Sequence, residues 1–113
     1  MANTFKLKTK AAIDASLVSV YTVPANTTAV VIGLTIANIK GSSVTADAQV
    51  VTASSSGENA DNVYVIKDVP LPSGASIEVM AGNKIVLETG DIIKVKGSVT
   101  DAVDAILSIM EIT

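Results

Sequence analysis

The sequence predicts an all-β fold, an antiparallel β-sandwich of about eight or nine strands with jelly-roll or Greek-key connections. Hydrophobic residues make up 49% of the 113 residues, and most are Val, Ile, Ala and Leu interleaved with Ser and Thr, as is typical of β-sheets. Turn residues recur at short intervals and separate segments of alternating polarity. The length suits one hydrophobic core, so we predict a single domain over residues 1–113.

The first predicted strand, residues 5–13, alternates in polarity along its length. We expect its apolar face to lie in the core, and this face consists of Phe5, Leu7, Ala11 and Ile13. The opposite face carries a row of lysines, Lys6, Lys8 and Lys10. Such a row protects an exposed sheet edge from unwanted pairing. A basic patch for an acidic partner is the alternative interpretation.

A second predicted strand, residues 17–23, ends before Pro24, and the longest apolar stretch follows as a third strand over residues 28–39. Strict alternation places its larger side chains on one face, namely Val30, Ile32, Leu34 and Ile36. The smaller ones fall on the other face, namely Ala29, Val31, Gly33, Thr35 and Ala37. Because this second face is small and dry, we expect another layer or another copy of the protein to cover it. The candidate interface residues are therefore Ala29, Val31 and Thr35, together with Lys6, Lys8 and Lys10.

Five further strands are predicted over residues 44–52, 63–69, 76–80, 84–88 and 91–96. The polar segment 53–62 is predicted to be a loop. A Ca²⁺ site built from Asp47, Glu58 and Asp61 is disfavoured, because the dense oxygen spacing of a Ca²⁺ loop is absent.

The last segment, residues 101–112, fits two patterns. Apolar residues at positions 103, 106, 107 and 110 have helical spacing. As a strand, the same segment places Ala105, Leu107 and Ile109 on one face, and the other face carries Ile106, Met110 and Ile112 with Ser108. The preceding β segments favour a strand, apolar on both faces, and a helix stays open as the alternative.

The composition argues against most chemistry. The chain contains no His and no Cys, so it lacks the commonest general base, nucleophile pairings and transition-metal ligands. The nearest carboxylate pair, Asp101 and Asp104, resembles polar residues at a turn. We therefore expect no enzyme activity, no cofactor and no metal.

Other partner classes are also disfavoured. All eight basic residues are lysines, and without arginine and with few aromatic residues we expect no nucleic-acid binding. No apolar run approaches the roughly 20 residues of a membrane helix. A carbohydrate-binding module needs an aromatic platform, and its candidates Tyr21, Tyr64 and Phe5 lie within predicted strands. A structural subunit needs a rigid fold and dry surfaces, and we expect such a protein to form homo-oligomers.

One segment resembles a known family. Residues 20–31, VYTVPANTTAVV, are similar to the opening of small all-β virion structural proteins of tailed bacteriophages, of the type found in cyanobacterial phages. The similarity continues through residues 71–74 and 84–91 and ends at the closing strand, residues 108–113. It implies a non-catalytic subunit of the capsid, neck, tail or baseplate that contacts other virion proteins and is assembled in the host cytoplasm. Among these positions we favour the neck, tail or baseplate. A capsid decoration or cement protein is one alternative, and a carbohydrate- or receptor-binding β-module is another.

Overall fold

A computed structural model describes residues 2–52, 62–80 and 82–113. These ranges contain nine strands: β1 (Asn3–Ile13), β2 (Val18–Thr22), β3 (Thr28–Asn38), β4 (Val44–Val51), β5 (Asn62–Leu71), β6 (Ser76–Glu78), β7 (Ile85–Leu87), β8 (Ile92–Gly97) and β9 (Val103–Ile112). Each predicted strand has its counterpart, and the ambiguous last segment is a strand. Most of the predicted 53–62 loop, with Glu58 and Asp61, lies outside the described residues. Within the described ranges, no helix has the length and apolar character needed to cross a membrane.

The strands form two antiparallel sheets. One has the order β1-β9-β3, with β6 and β7 both paired to β3, and the other has the order β2-β8-β4-β5. Because β6 pairs with one end of β3 and β7 with the other, the two act as one interrupted strand. The first strand then pairs with the last, the second with the second-last, and so on inward, which is the pairing of a jelly roll. The predicted β-sandwich is confirmed.

The core lies between the two sheets. Alternate residues of β9 point into it, and Val103, Leu107 and Ile109 are almost completely buried. Ile93 and Val95 of β8 face them from the other sheet. Each such side chain contributes roughly 1.5–3 kcal/mol when it leaves water. Among the described residues, the buried hydrophobic side chains form one cluster between the sheets.

A β-bulge in β3 changes which side chains face this core. Val31 is opposite Ile109 and Gly33 is opposite Ser108, so the register shifts at Ile32. The extra residue returns Leu34 to the inner face, where strict alternation from Val31 would have turned it outward. The predicted faces are therefore wrong: Ala29 and Val31 share the buried face with Leu34 and Ile36.

A second irregularity, in β1, turns the side chains before it to the opposite face from the one that strict alternation with Ile13 would give. Its register to β9 shifts between Lys10 and Ile13, and Ala12 has a positive φ of 53°. The Ala12 N–H donates to Asp104 Oδ1 at 2.8 Å, which holds the irregular backbone. Ile13 consequently points into the core, whereas Phe5 and Leu7 are 72% and 63% exposed. The prediction that Phe5 and Leu7 are core residues is wrong.

Candidate interaction surface

The outer surface of the β1-β9-β3 sheet carries a continuous row of apolar side chains. Phe5 is opposite Met110, Met110 is opposite Val30, and Val30 is opposite Val86. Directly opposed residues in an antiparallel sheet lie on the same face, with Cβ atoms about 5 Å apart. Phe5 and Val86, at the two ends, are exposed, and the two residues between them are half-buried. The row therefore crosses four strands.

Two neighbouring rows extend this surface along the strands. Leu7 is opposite Ser108, which is in turn opposite the bulge of β3, where Ile32 is exposed. In the next row Ile106, 48% exposed, lies between Thr9 and Thr35. We call this surface the outer apolar face, and it consists of Phe5, Leu7, Val30, Ile32, Val86, Ile106 and Met110.

Two acidic residues of the described strands, Asp104 and Glu78, border the outer apolar face. Asp104 occupies the end of β9, beyond Ile106. Glu78 lies on β6 opposite Thr35, at the sheet edge. Its carboxylate accepts hydrogen bonds from the Leu34 N–H at 3.0 Å and from the Thr35 hydroxyl at 2.8 Å. That carboxylate also lies 3.5 Å from the position that a Cβ of Gly33 would occupy, so it reaches the β3 bulge, whereas the row from Phe5 to Val86 carries no charge.

The predicted interface residues of β3 do not lie together. Ala29 and Val31 are 0% exposed and belong to the core, so neither is available to a neighbouring molecule. Their selection as interface residues is wrong, because the bulge turns them inward. Thr35 lies on the outer sheet surface between Ile106 and Glu78. An interface role for Thr35 stays a prediction.

The lysine row of β1 lies on the inner side of its sheet, next to β2. The Lys6 ammonium is 2.8 Å from Glu111 Oε1, and Lys8 Nζ is 5.9 Å from the centre of the Tyr21 ring. The Tyr21 hydroxyl donates to Glu111 Oε2 at 2.6 Å. Lys10 is exposed opposite Ala105. Contact of the lysine row with an acidic partner stays a prediction, although Lys6 is already paired within the subunit.

The hydrogen bonds around Glu111 shift two pKa values in opposite directions. Those from Lys6 and from Tyr21 stabilise the carboxylate and hold the pKa of Glu111 below its usual value, despite its burial. Burial and the hydrogen bond to Glu111 raise the pKa of Tyr21 well above its usual value of 10.0. Near neutral pH, therefore, the tyrosine is a neutral donor and the glutamate an ionised acceptor.

A second buried carboxylate, Asp47, lies on β4. Its Oδ1 accepts a hydrogen bond from the Asp68 N–H at 2.7 Å. Its Oδ2 is 3.6 Å from the Lys67 ammonium and 3.8 Å from that of Lys96. These lysines compensate the buried charge. In the described part of the chain, no group of three or more carboxylates is arranged to hold a metal ion.

The aromatic side chains do not form a platform for a sugar. Tyr21 is buried and bonded to Glu111. Tyr64 lies on β5 in the other sheet, with the Lys67 ammonium 5.2 Å from its ring centre. Phe5 belongs to the outer apolar face. Since the three rings are on different surfaces or buried, they cannot stack together on one ligand.

Comparisons with known proteins support the fold. No protein-family model matches the chain, and no curated protein sequence matches it either. Among solved structures, "Bacillus endospore appendages form a novel family of disulfide-linked pili" is similar over 96% of this chain and 85% of its own, with 11% identity and a TM-score of 0.50. The VP2 subviral particle of infectious bursal disease virus matches 95% of this chain and 41% of its own, with 10% identity and a TM-score of 0.33. The first of these likenesses agrees with the β-sandwich described above.

Proposed function

We propose that this chain is a non-catalytic structural subunit of a tailed-phage virion, in the neck, tail or baseplate, which acts by self-assembly and by contacts with other virion proteins. The observation that carries the proposal is the outer apolar face. Scattered exposed hydrophobic residues are ordinary on a protein surface. A continuous apolar patch across four strands is typical of an interaction site.

The area of this face is in the range of functional patches. A fully exposed large side chain presents roughly 150–200 Å². The five exposed members, Phe5, Leu7, Ile32, Val86 and Ile106, therefore present on the order of 500 Å² on one subunit, near the upper end for the largest patch of a monomer. The free energy falls when a neighbouring molecule covers this surface, because apolar side chains leave water.

The carboxylates with described contacts have structural roles. Glu111 joins β9 to β1 and β2, and Asp47 holds the backbone of β5 at Asp68. Asp91 accepts a hydrogen bond from the Glu88 N–H at 2.9 Å and so closes a turn. Asp104 holds the irregular backbone of β1 at Ala12. These contacts support a role without acid–base chemistry.

The phage assignment comes from the resemblance over residues 20–31, 71–74 and 84–91. Pro24 and Asn26 form the turn between β2 and β3, and Asn26 adopts a positive φ of 56°. In the 84–91 segment, Gly90 has a φ of 90°, and Asp91 is the buried residue that closes the turn before β8. The shared motifs are therefore strand-and-turn elements of the jelly roll.

Quantitative mass spectrometry of purified phage particles tests this proposal. For a neck, tail or baseplate component we expect about a dozen copies per particle, as a ring at one position provides. Hundreds of copies would indicate the capsid decoration role instead. The orientation of the lysine row supports the neck, tail or baseplate role, because Lys6 is paired with Glu111 within the subunit rather than free to contact an acidic capsid shell. Absence of the chain from purified particles would refute the virion assignment.

A further inference from the structure

We infer that the outer apolar face binds the same face of a second copy of this chain, so that two subunits pack sheet against sheet around a two-fold axis. The inference rests on the proposed assembly role and specifies its surface and its partner. A two-fold interface is built from one patch used twice, so the patch must be compatible with itself. Charge, shape and area of the outer apolar face all meet this requirement.

The charge distribution favours a second copy. A patch with net charge in its centre would repel its own copy, because like charges across an interface are costly. The described residues of the outer apolar face are all apolar, and Ser108 in their midst is neutral. Asp104 lies at one margin, and the Glu78 carboxylate, which reaches the β3 bulge, accepts hydrogen bonds from the Leu34 N–H and the Thr35 hydroxyl. The row from Phe5 to Val86 therefore presents no like charges to its own copy and no charges that would select an oppositely charged partner.

The shape of the surface also favours a second copy. The members come from adjacent paired strands, so the surface is a sheet face, and a natural partner for a sheet face is another sheet at about 10 Å. Two faces of about 500 Å² each would bury on the order of 1,000 Å², which is the lower limit for a stable interface. The half-buried Val30 and Met110 add to that area.

The exposed apolar residues of β5 do not form a second surface of this kind. Val63 and Tyr64 lie on β5 of the opposite sheet, and Val63 is 56% exposed. Adjacent residues of a strand point to opposite faces, so these two side chains do not share one surface, and the Lys67 ammonium lies over the Tyr64 ring. Val63 therefore provides a matched control, since it is a valine on a strand with an exposure similar to the 63% of Val86.

Sedimentation equilibrium of the full chain over a concentration series tests the inference. We expect the wild type to form dimers, and Val86→Asp to weaken the dimer by about 30-fold or more, because it buries an unpaired charge at the interface. Val63→Asp should leave the dimer unchanged. Circular dichroism would establish that each variant is folded. If Val86→Asp does not fold, Phe5→Asp at the other end of the row takes its place.

Cross-linking tests the two-fold geometry independently. Ser108 is opposite both Leu7 and the β3 bulge, so it lies at the middle of the outer apolar face and near the expected axis. The chain contains no cysteine, so Ser108→Cys introduces the only thiol. A short bis-maleimide that spans about 10 Å should join two copies of this variant, since packed sheets lie about that far apart. Val63→Cys should stay uncross-linked under the same conditions.

Three results would overturn the inference. They are a wild type that stays monomeric up to about 200 μM, a dimer that Val86→Asp and Val63→Asp affect equally, and cross-linking at Val63→Cys but not at Ser108→Cys. A monomeric chain that is nevertheless present in purified virions would refute only the self-pairing and would indicate another virion protein on this face. A dimeric chain absent from virions would refute only the proposed function.

Discussion

At the scale of single residues, Glu111 connects the two sheets. It lies on β9, yet its carboxylate accepts hydrogen bonds from Lys6 on β1 and Tyr21 on β2. Its side chain is almost fully buried, so the charge depends on these donors for the stabilisation that water would otherwise give. The position is not evident from the sequence, because Glu111 precedes the apolar Ile112 at the end of the chain like an ordinary solvent-exposed residue.

The lowered pKa of Glu111 predicts how stability depends on pH. A carboxyl group whose pKa is lower in the folded than in the unfolded protein stabilises the fold above the unfolded value. That contribution is lost as the pH falls below the usual 4.5 and through the lowered folded value. We therefore expect the free energy of unfolding, measured with urea, to decline in this acidic range.

A variant assigns this effect to Glu111. Glu111→Gln should lower the free energy of unfolding at pH 7 by about 1–3 kcal/mol, because it removes the charge-assisted hydrogen bonds, and it should flatten the acidic decline. Tyr21→Phe, which removes one donor and keeps the ring, should have a smaller effect in the same direction. An acidic decline as steep in Glu111→Gln as in the wild type would show that other groups cause it.

At the scale of strands, the sequence predicts positions better than faces. Alternating polarity and turn residues locate all nine strands of the described ranges, because both signals are local. The faces depend on bulges, and a single extra residue turns every following side chain over. In β3 the available signal is Gly33, since a glycine inside a strand often marks a bulge. In β1 the irregular residue is Ala12, which has no such signature.

The bulge in β3 predicts opposite outcomes for two adjacent substitutions. Val31→Asp places a charge in the core and should destabilise the fold by about 4 kcal/mol or more, sufficient to unfold much of the population. Ile32→Asp alters a residue that is 39% exposed on the outer apolar face, and its cost should stay below about 1 kcal/mol. Thermal unfolding followed by circular dichroism measures both. A loss of stability that is larger for Ile32→Asp than for Val31→Asp would contradict the described register.

At the scale of the whole molecule, the sequence predicts the architecture but not the interaction surface. The dry second face of β3 does indicate a covering layer, and for Ala29 and Val31 that layer is the opposite sheet. The surface left over is made by residues far apart in sequence, such as Phe5, Val86 and Met110, which only the jelly-roll pairing brings together. No local pattern identifies such a set, because the pairing of the first strand with the last decides it.

The central claim is that the outer apolar face is covered when the subunit is assembled, and hydroxyl-radical footprinting tests it most directly. Side-chain oxidation would be compared between assembled protein, in particles or dimers, and dissociated folded subunit. We expect labelling of Phe5, Leu7 and Met110 to fall several-fold on assembly, while Val63 and Tyr64 label equally in both states. Unchanged labelling of Phe5, Leu7 and Met110 in the assembled protein would contradict the claim.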